Sequence, residues 1–268
     1  MSNIFNIKRF CTLVRKECRE LPGKCGLSIL SMVGGYMIFI ILTMLSGVSV
    51  SPSKRMAMIV VWTAVTVIFA PSKLHGNVNH SRKGLNYVLL PVSTMEKTLS
   101  MFVLNSICTT ILILTGLFLA DTLLYLIVPS RMTGFLINVE TLNQLGRQLF
   151  DLFFIQSIFI LGNVLFKRQK IAMTFISLIG IFFLLILVFI VVFRIIGFEA
   201  LEHFTENILA DLPREIDNWQ VLSNRAFVNT YSHIPFVRNI LIISYSIHGA
   251  VTAACWIGTY RLIKTTKY

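Results

Sequence analysis

Apolar residues run along this chain in long blocks separated by short charged clusters. Residues 25–53, 56–72, 98–120, 152–166, 171–193 and 239–260 carry no Asp, Glu, Lys or Arg. A helix that crosses a bilayer needs about 20 mostly apolar residues. Four of these stretches exceed that length, 56–72 just reaches it, and 152–166 reaches it by adding residues 148–151. The pattern predicts six spans, at 27–46, 56–72, 93–128, 148–166, 171–196 and 237–260. Backbone groups in lipid must be satisfied within their own segment, which selects helices. The period-two alternation of a barrel strand is absent. The expected fold class is all-α: a polytopic membrane protein with six transmembrane helices, residues 1–268 forming a single transmembrane domain.

The polar interruptions predict the rest. Residues 5–21 read as an N-terminal amphipathic interfacial helix: Ile7, Phe10, Leu13, Val14, Cys18 and Leu21 share one face, with Lys8, Arg9, Thr12, Arg15, Lys16 and Arg19 opposite. Glu17 projects from the apolar face, where it meets either a neighbouring base or another helix. Leu21-Pro22-Gly23 is expected to end this helix and turn the chain into the first span. Residues 73–97 form a polar loop, and within it Ser93-Thr94-Met95-Glu96 has the pattern of a capping box. A short segment, 85–90, should end at Pro91, and a new helix should start at Ser93. That helix is longer than a bilayer needs and should project from it. Residues 129–147 read as a loop, Lys167–Lys170 as a tight basic turn, and 197–236 as an extracytoplasmic segment with an amphipathic helix up to Pro213.

Composition sharpens this picture. With 55% hydrophobic residues, 13% charged and a mean hydropathy of +0.76, the chain is too apolar for a soluble domain. The long basic start, the long first apolar run and the lack of a small-residue cleavage site argue against a removable signal peptide. A net charge of +12 would raise nucleic acid in a soluble protein. Here its placement argues for topology and for no nucleic-acid partner. With both termini in the cytoplasm, sixteen of the 24 Lys and Arg fall on the inner side, as the positive-inside rule requires. Cys11, Cys18 and Cys25 precede the first span, and Cys108 and Cys255 lie inside spans, which suits apolar packing in a reducing compartment rather than disulfides. The expected setting is a bacterial cytoplasmic (inner) membrane, crossed several times, with the lipid bilayer as the first partner.

Candidate chemistry is sparse. Polar residues within spans are costly, so Asn105, Asp121, Gln156, Asn163 and His248 require a role, either as interhelical hydrogen-bonding groups or as the lining of a pathway. There is no G-x-S-x-G, no H-E-x-x-H and no P-loop. His75 and His80 sit in a basic loop without a nearby carboxylate and read as solvated or partner-facing. No catalytic, metal or directly bound cofactor residue is expected, and the chain does not read as an enzyme.

Lys16-Glu17 before six spans, Arg82-Lys83-Gly84 in the second polar loop, and Leu90-Pro91-Val92-Ser93 followed by Glu96-Lys97 together form a pattern. It resembles the permease subunit of a type 2 ATP-binding cassette (ABC) exporter, notably the LP-[AV]-S-x-x-E-K stretch of permease-like proteins from Bacteroidetes; many of those relatives carry Arg or Asn where this chain has Thr94. The resemblance covers the chain by architecture and residues 82–97 by motif. It implies that Arg82, Lys83, Gly84, Leu90, Pro91, Ser93, Glu96 and Lys97 belong to a loop, 73–97, that docks on a separate ABC ATPase subunit holding ATP and Mg. It also implies a dimer, with a second permease copy or paralogue, using spans 1 and 5. The alternative is a non-transporting integral membrane scaffold or sensor-associated protein, and an unrecognised membrane enzyme is a third reading.

Overall fold

The structure is a computed structural model and describes residues 5–78, 84, 87, 89–196 and 235–265. Six helices are long and apolar enough to cross a membrane. We number them α1 (Ile7–Leu45), α2 (Pro52–Leu74), α3 (Thr94–Ile127), α4 (Val139–Leu165), α5 (Lys170–Ile196) and α6 (Pro235–Thr265). Among the described residues no strand forms; the one β-bridge joins Val50 to Met132. The all-α polytopic reading therefore stands. Arg82 and Lys83, His80, and the expected amphipathic helix up to Pro213 lie outside the described residues.

Residues 5–21 are not a separate interfacial helix. α1 runs unbroken from Ile7 to Leu45 with Pro22 inside it. An interior proline removes one hydrogen bond and costs about 3 kcal/mol or more. Packing offsets that cost, because the buried face keeps its register across the proline: Leu13, Glu17, Leu21, Cys25 and Ile29 recur every fourth residue.

The other boundaries follow from local chemistry. Asn6 caps α1 by accepting the Lys8 amide at 2.9 Å. Pro52 opens α2, where its missing N–H is no loss. α3 begins where the capping box places it and stops just before Pro129. Within α3, Val103–Cys108 forms a π turn. α4 starts at Val139, nine residues before the expected span, because Asn138 and Thr141 cap it reciprocally. The basic turn to α5 is tight and holds Gln169 at φ +45°.

The chain divides into two compact units, Met1–Thr174 with Thr252–Tyr268, and Phe175–Val251. In the first, α1, α2 and α3 share a core that includes Tyr36, Ile40, Met56, Ile59, Ile113 and Leu117, and α4 packs on α2. In the second, the apolar faces of α5 are exposed along its length, as expected for a helix facing lipid.

α1 and α3 run side by side in the same direction. Asn6 meets Glu96, Cys18 meets Cys108 and Tyr36 meets Asp121, an almost constant separation in sequence. We call the end where both helices begin the lower end and the opposite end the upper. Apart from Ile7 in the first turn, the exposed large apolar residues of α1 extend from Leu27 to Leu45, roughly 27 Å at 1.5 Å per residue, close to one hydrocarbon thickness. Below Leu27, α1 continues beside α3 for a further 20 residues.

α1 also approaches α2 closely. A Cβ on Gly35 would lie 2.8 Å from the Trp62 ring. Overpacking of this kind costs about 1–3 kcal/mol. Gly35→Ala is therefore expected to lower the thermal midpoint in detergent; an unchanged midpoint would show that the Trp62 ring moves aside freely.

Candidate functional site

Three polar constellations stand out in the first unit. The lowest is built on Glu96, which is fully buried. Its Oε2 accepts the amide of Ser93 at 2.7 Å, while the Ser93 hydroxyl accepts the amide of Glu96 at 3.2 Å. That completes the capping box of α3. Its Oε1 accepts the amide of Asn6, the N-cap of α1, at 2.7 Å, and the Arg9 guanidinium at 3.1 Å. One carboxylate thus caps two helices, where both helix dipoles favour negative charge. The polar loop ends at the point where α1 and α3 are joined.

Lys97 is buried, with its ammonium 5.6 Å from the centre of the Tyr87 ring. The Tyr87 hydroxyl donates to the Lys97 carbonyl at 3.2 Å, which draws the loop onto α3. Gly84 is buried, Leu90 and Ser93 are half-buried, and Pro91 is exposed. Among the described residues here, the exposed side chains are apolar: Leu89 and Met95 are 64% and 60% exposed.

The second constellation links three of the expected in-span polar residues, two of them bonded directly to a histidine. His75 is buried at the end of α2, not solvated as its basic neighbours imply. Its Nδ1 lies 3.1 Å from the Asn105 amide nitrogen, and its backbone carbonyl accepts from the Asn163 amide at 3.2 Å. Asn105 also donates to the Met101 carbonyl at 2.7 Å. The π turn matters here. The wider turn directs both the Thr109 amide and its hydroxyl to the Leu104 carbonyl, and the Asn105 carbonyl accepts from Gln156 on α4. Glu17 stands on the other side of His75, with Oε1 3.8 Å from Nε2. Glu17 therefore contacts another helix, whereas its neighbour Lys16 faces outward.

The third constellation lies toward the upper end. Asp121 accepts the Tyr36 hydroxyl at 2.6 Å and the Arg55 guanidinium at 2.7 Å. Arg55 is fully buried and also donates to the carbonyl of Gly134. Gly134 holds φ +75°, a left-handed conformation that glycine adopts without strain. Asp121 is thus a clamp between α1, α2, α3 and the upper connection. It stands 16 residues along α3 from Asn105, about 24 Å. His248 lies in the second unit and bonds the Ser244 carbonyl of its own helix at 2.8 Å.

Sequence reasoning did not single out Arg55 or Tyr36, and placed Arg9 only on the polar face of the first helix. A local pattern gives no sign of a distant partner, and these three find theirs 66, 85 and 87 positions away. The sign that was present for Arg55 was its place beside Met56 at the edge of a span, where a charge must be either exposed or paired. Among the described residues, no three His, Cys, Asp or Glu converge as metal ligands would. No family model, curated protein or solved structure matches this chain.

Proposed function

We propose that this chain is the transmembrane permease subunit of an ABC exporter, driven by ATP hydrolysis on a separate ATPase subunit. The observation that carries the reading is the double cap at Glu96. A loop pulled by a partner ends on a carboxylate that holds the starts of two long parallel helices. Displacement of the loop is therefore passed to α1 and α3 together. The upper clamp ties α2 to the same pair, so the motion reaches the far side of the bilayer as a rigid shift.

In this mechanism the lower end faces the cytoplasm of a bacterial inner membrane, as the distribution of Lys and Arg favours. ATP and Mg bind to the partner, and closure of two ATPase subunits moves the loops of two permeases. The second permease is another copy or a paralogue. Docking falls to Arg82 and Lys83 and to the exposed apolar ridge of Leu89, Pro91 and Met95, since Lys97 is turned inward. The outward half of each helix pair then changes its distance from its counterpart and opens a path.

Leu89→Asp with Met95→Asp tests the docking surface. Both side chains are exposed, so the fold should keep its thermal midpoint. Capture of a P-loop ATPase and export should fall at least roughly tenfold, as expected for loss of an apolar interface core. Unchanged capture would remove this loop from the interface.

A further inference from the structure

Cys18 on α1 and Cys108 on α3 bring their sulfurs to 3.8 Å, although both are free thiols. The contact is held from below. Asn6 and Glu96 fix the register of the two helices, and each cysteine follows 12 residues later on its own helix. The π turn of α3 ends at Cys108, so the wider turn sets where its side chain points. A disulfide needs about 2.05 Å between sulfurs, so they must approach by about 1.8 Å more. Small rotations of the two side chains share that distance.

The pairing is selective. Cys11 and Cys25 lie seven residues from Cys18 on the same helix, about 10 Å away along its axis. A disulfide spans at most about 7 Å between Cα atoms, so neither can reach Cys18. Cys25 and Cys255 are buried, as thiols that only fill space are, whereas Cys18 and Cys108 are both half-buried. A small uncharged oxidant can therefore reach one sulfur while the other waits beside it. That is the arrangement of an oxidisable thiol next to a resolving thiol. In a reducing compartment the pair rests as two thiols.

We infer that Cys18 and Cys108 are a peroxide-responsive thiol pair, whose disulfide locks α1 to α3 between the Glu96 junction and the Asp121 clamp. The chemistry balances with hydrogen peroxide as oxidant. One sulfur attacks a peroxide oxygen, the O–O bond breaks, and the thiol proton leaves with the departing hydroxide as water. The sulfenic acid so formed is attacked by the second sulfur; the S–S bond forms, the S–O bond breaks, and a second water leaves with the second thiol proton. Two thiols are oxidised by two electrons and one peroxide is reduced to two waters. A reducing dithiol reverses the lock. The inference does not rest on the permease reading.

The test treats the full-length protein in mild detergent with submillimolar hydrogen peroxide, alkylates the remaining thiols and maps the digest by mass spectrometry. The Cys18–Cys108 linked peptide should be the main product, and the chain should stay monomeric on a non-reducing gel. The thermal midpoint should rise by about 5–10 °C, since the bond closes a long loop, and dithiothreitol should reverse both changes. In Cys18→Ser, Cys108 should stop at a sulfenic acid that dimedone captures, with no rise in midpoint. In intact cells quenched with acid, the pair should be reduced before peroxide and linked after it. Thiols that stay free, links scattered among the five cysteines, oxidation chiefly to sulfinic acid, a linked form with an unchanged midpoint, or a pair already linked in untreated cells would each overturn the inference.

Discussion

Asp121→Asn is expected to destabilise the protein by about 3–5 kcal/mol, the range for leaving one charge of a buried ion pair uncompensated. Arg55 and Asp121 are 0% and 1% exposed, so the substitution leaves the guanidinium buried without its counter-charge. Apparent thermal unfolding in detergent reads the loss directly. The control is a charge-free replacement, Arg55→Met with Asp121→Leu and Tyr36→Phe, the last because the Tyr36 hydroxyl would lose its acceptor. Apolar substitution of a whole buried network is often neutral or stabilising, so this triple variant should unfold near the wild-type midpoint. The two variants also decide what Asp121 does. A residue on a substrate path would lose export in Asp121→Asn with the midpoint preserved. A clamp loses the midpoint first and recovers with the triple variant.

Glu96→Ala is expected to release the start of α1. Three donors converge on that carboxylate from part-buried positions, so each bond lost costs toward the low end of the about 1–3 kcal/mol of a buried donor left without an acceptor. The Arg9 share is smaller, because Arg9 is 35% exposed and solvent screens it. Ser93→Ala is the comparison. It removes the cap hydroxyl of α3 alone, about 1 kcal/mol, and leaves the Asn6 contact in place. Amide exchange at residues 7–10 should therefore accelerate strongly in Glu96→Ala and little in Ser93→Ala. Similar exchange in the two variants would mean that Glu96 serves α3 only. Under the proposed mechanism export falls with the first variant and persists with the second.

What could be read in advance depended on distance along the chain. The six apolar runs and the Ser93–Glu96 box are local patterns: six helices long and apolar enough to cross a membrane overlap those runs, and the box forms at Ser93. Pro22 misled because a local rule met a long-range fact: the buried face of α1 continues through it against α2 and α3. The early start of α4 has the same character in reverse, since Asn138 and Thr141 cap each other in a pattern less familiar than Ser with Glu. His75 was misplaced for a related reason. Its basic neighbours describe the loop, whereas its burial is set by Asn105 and Glu17, 30 and 58 positions away. Asn105, Gln156 and Asn163 were singled out correctly as groups needing partners, but the histidine that gathers two of them was not. The second cap on Glu96 could not be read at all, because nothing near Asn6 points to a residue 90 positions on.

The most direct measurement is purification of the full-length chain in mild detergent, followed by assay of the eluate for ATP hydrolysis and identification of the bound subunits. The account predicts a stoichiometric partner with a P-loop and hydrolysis that travels with the complex. A lone membrane protein without nucleotide hydrolysis, under conditions that keep other membrane complexes whole, would contradict it and leave the scaffold as the better reading.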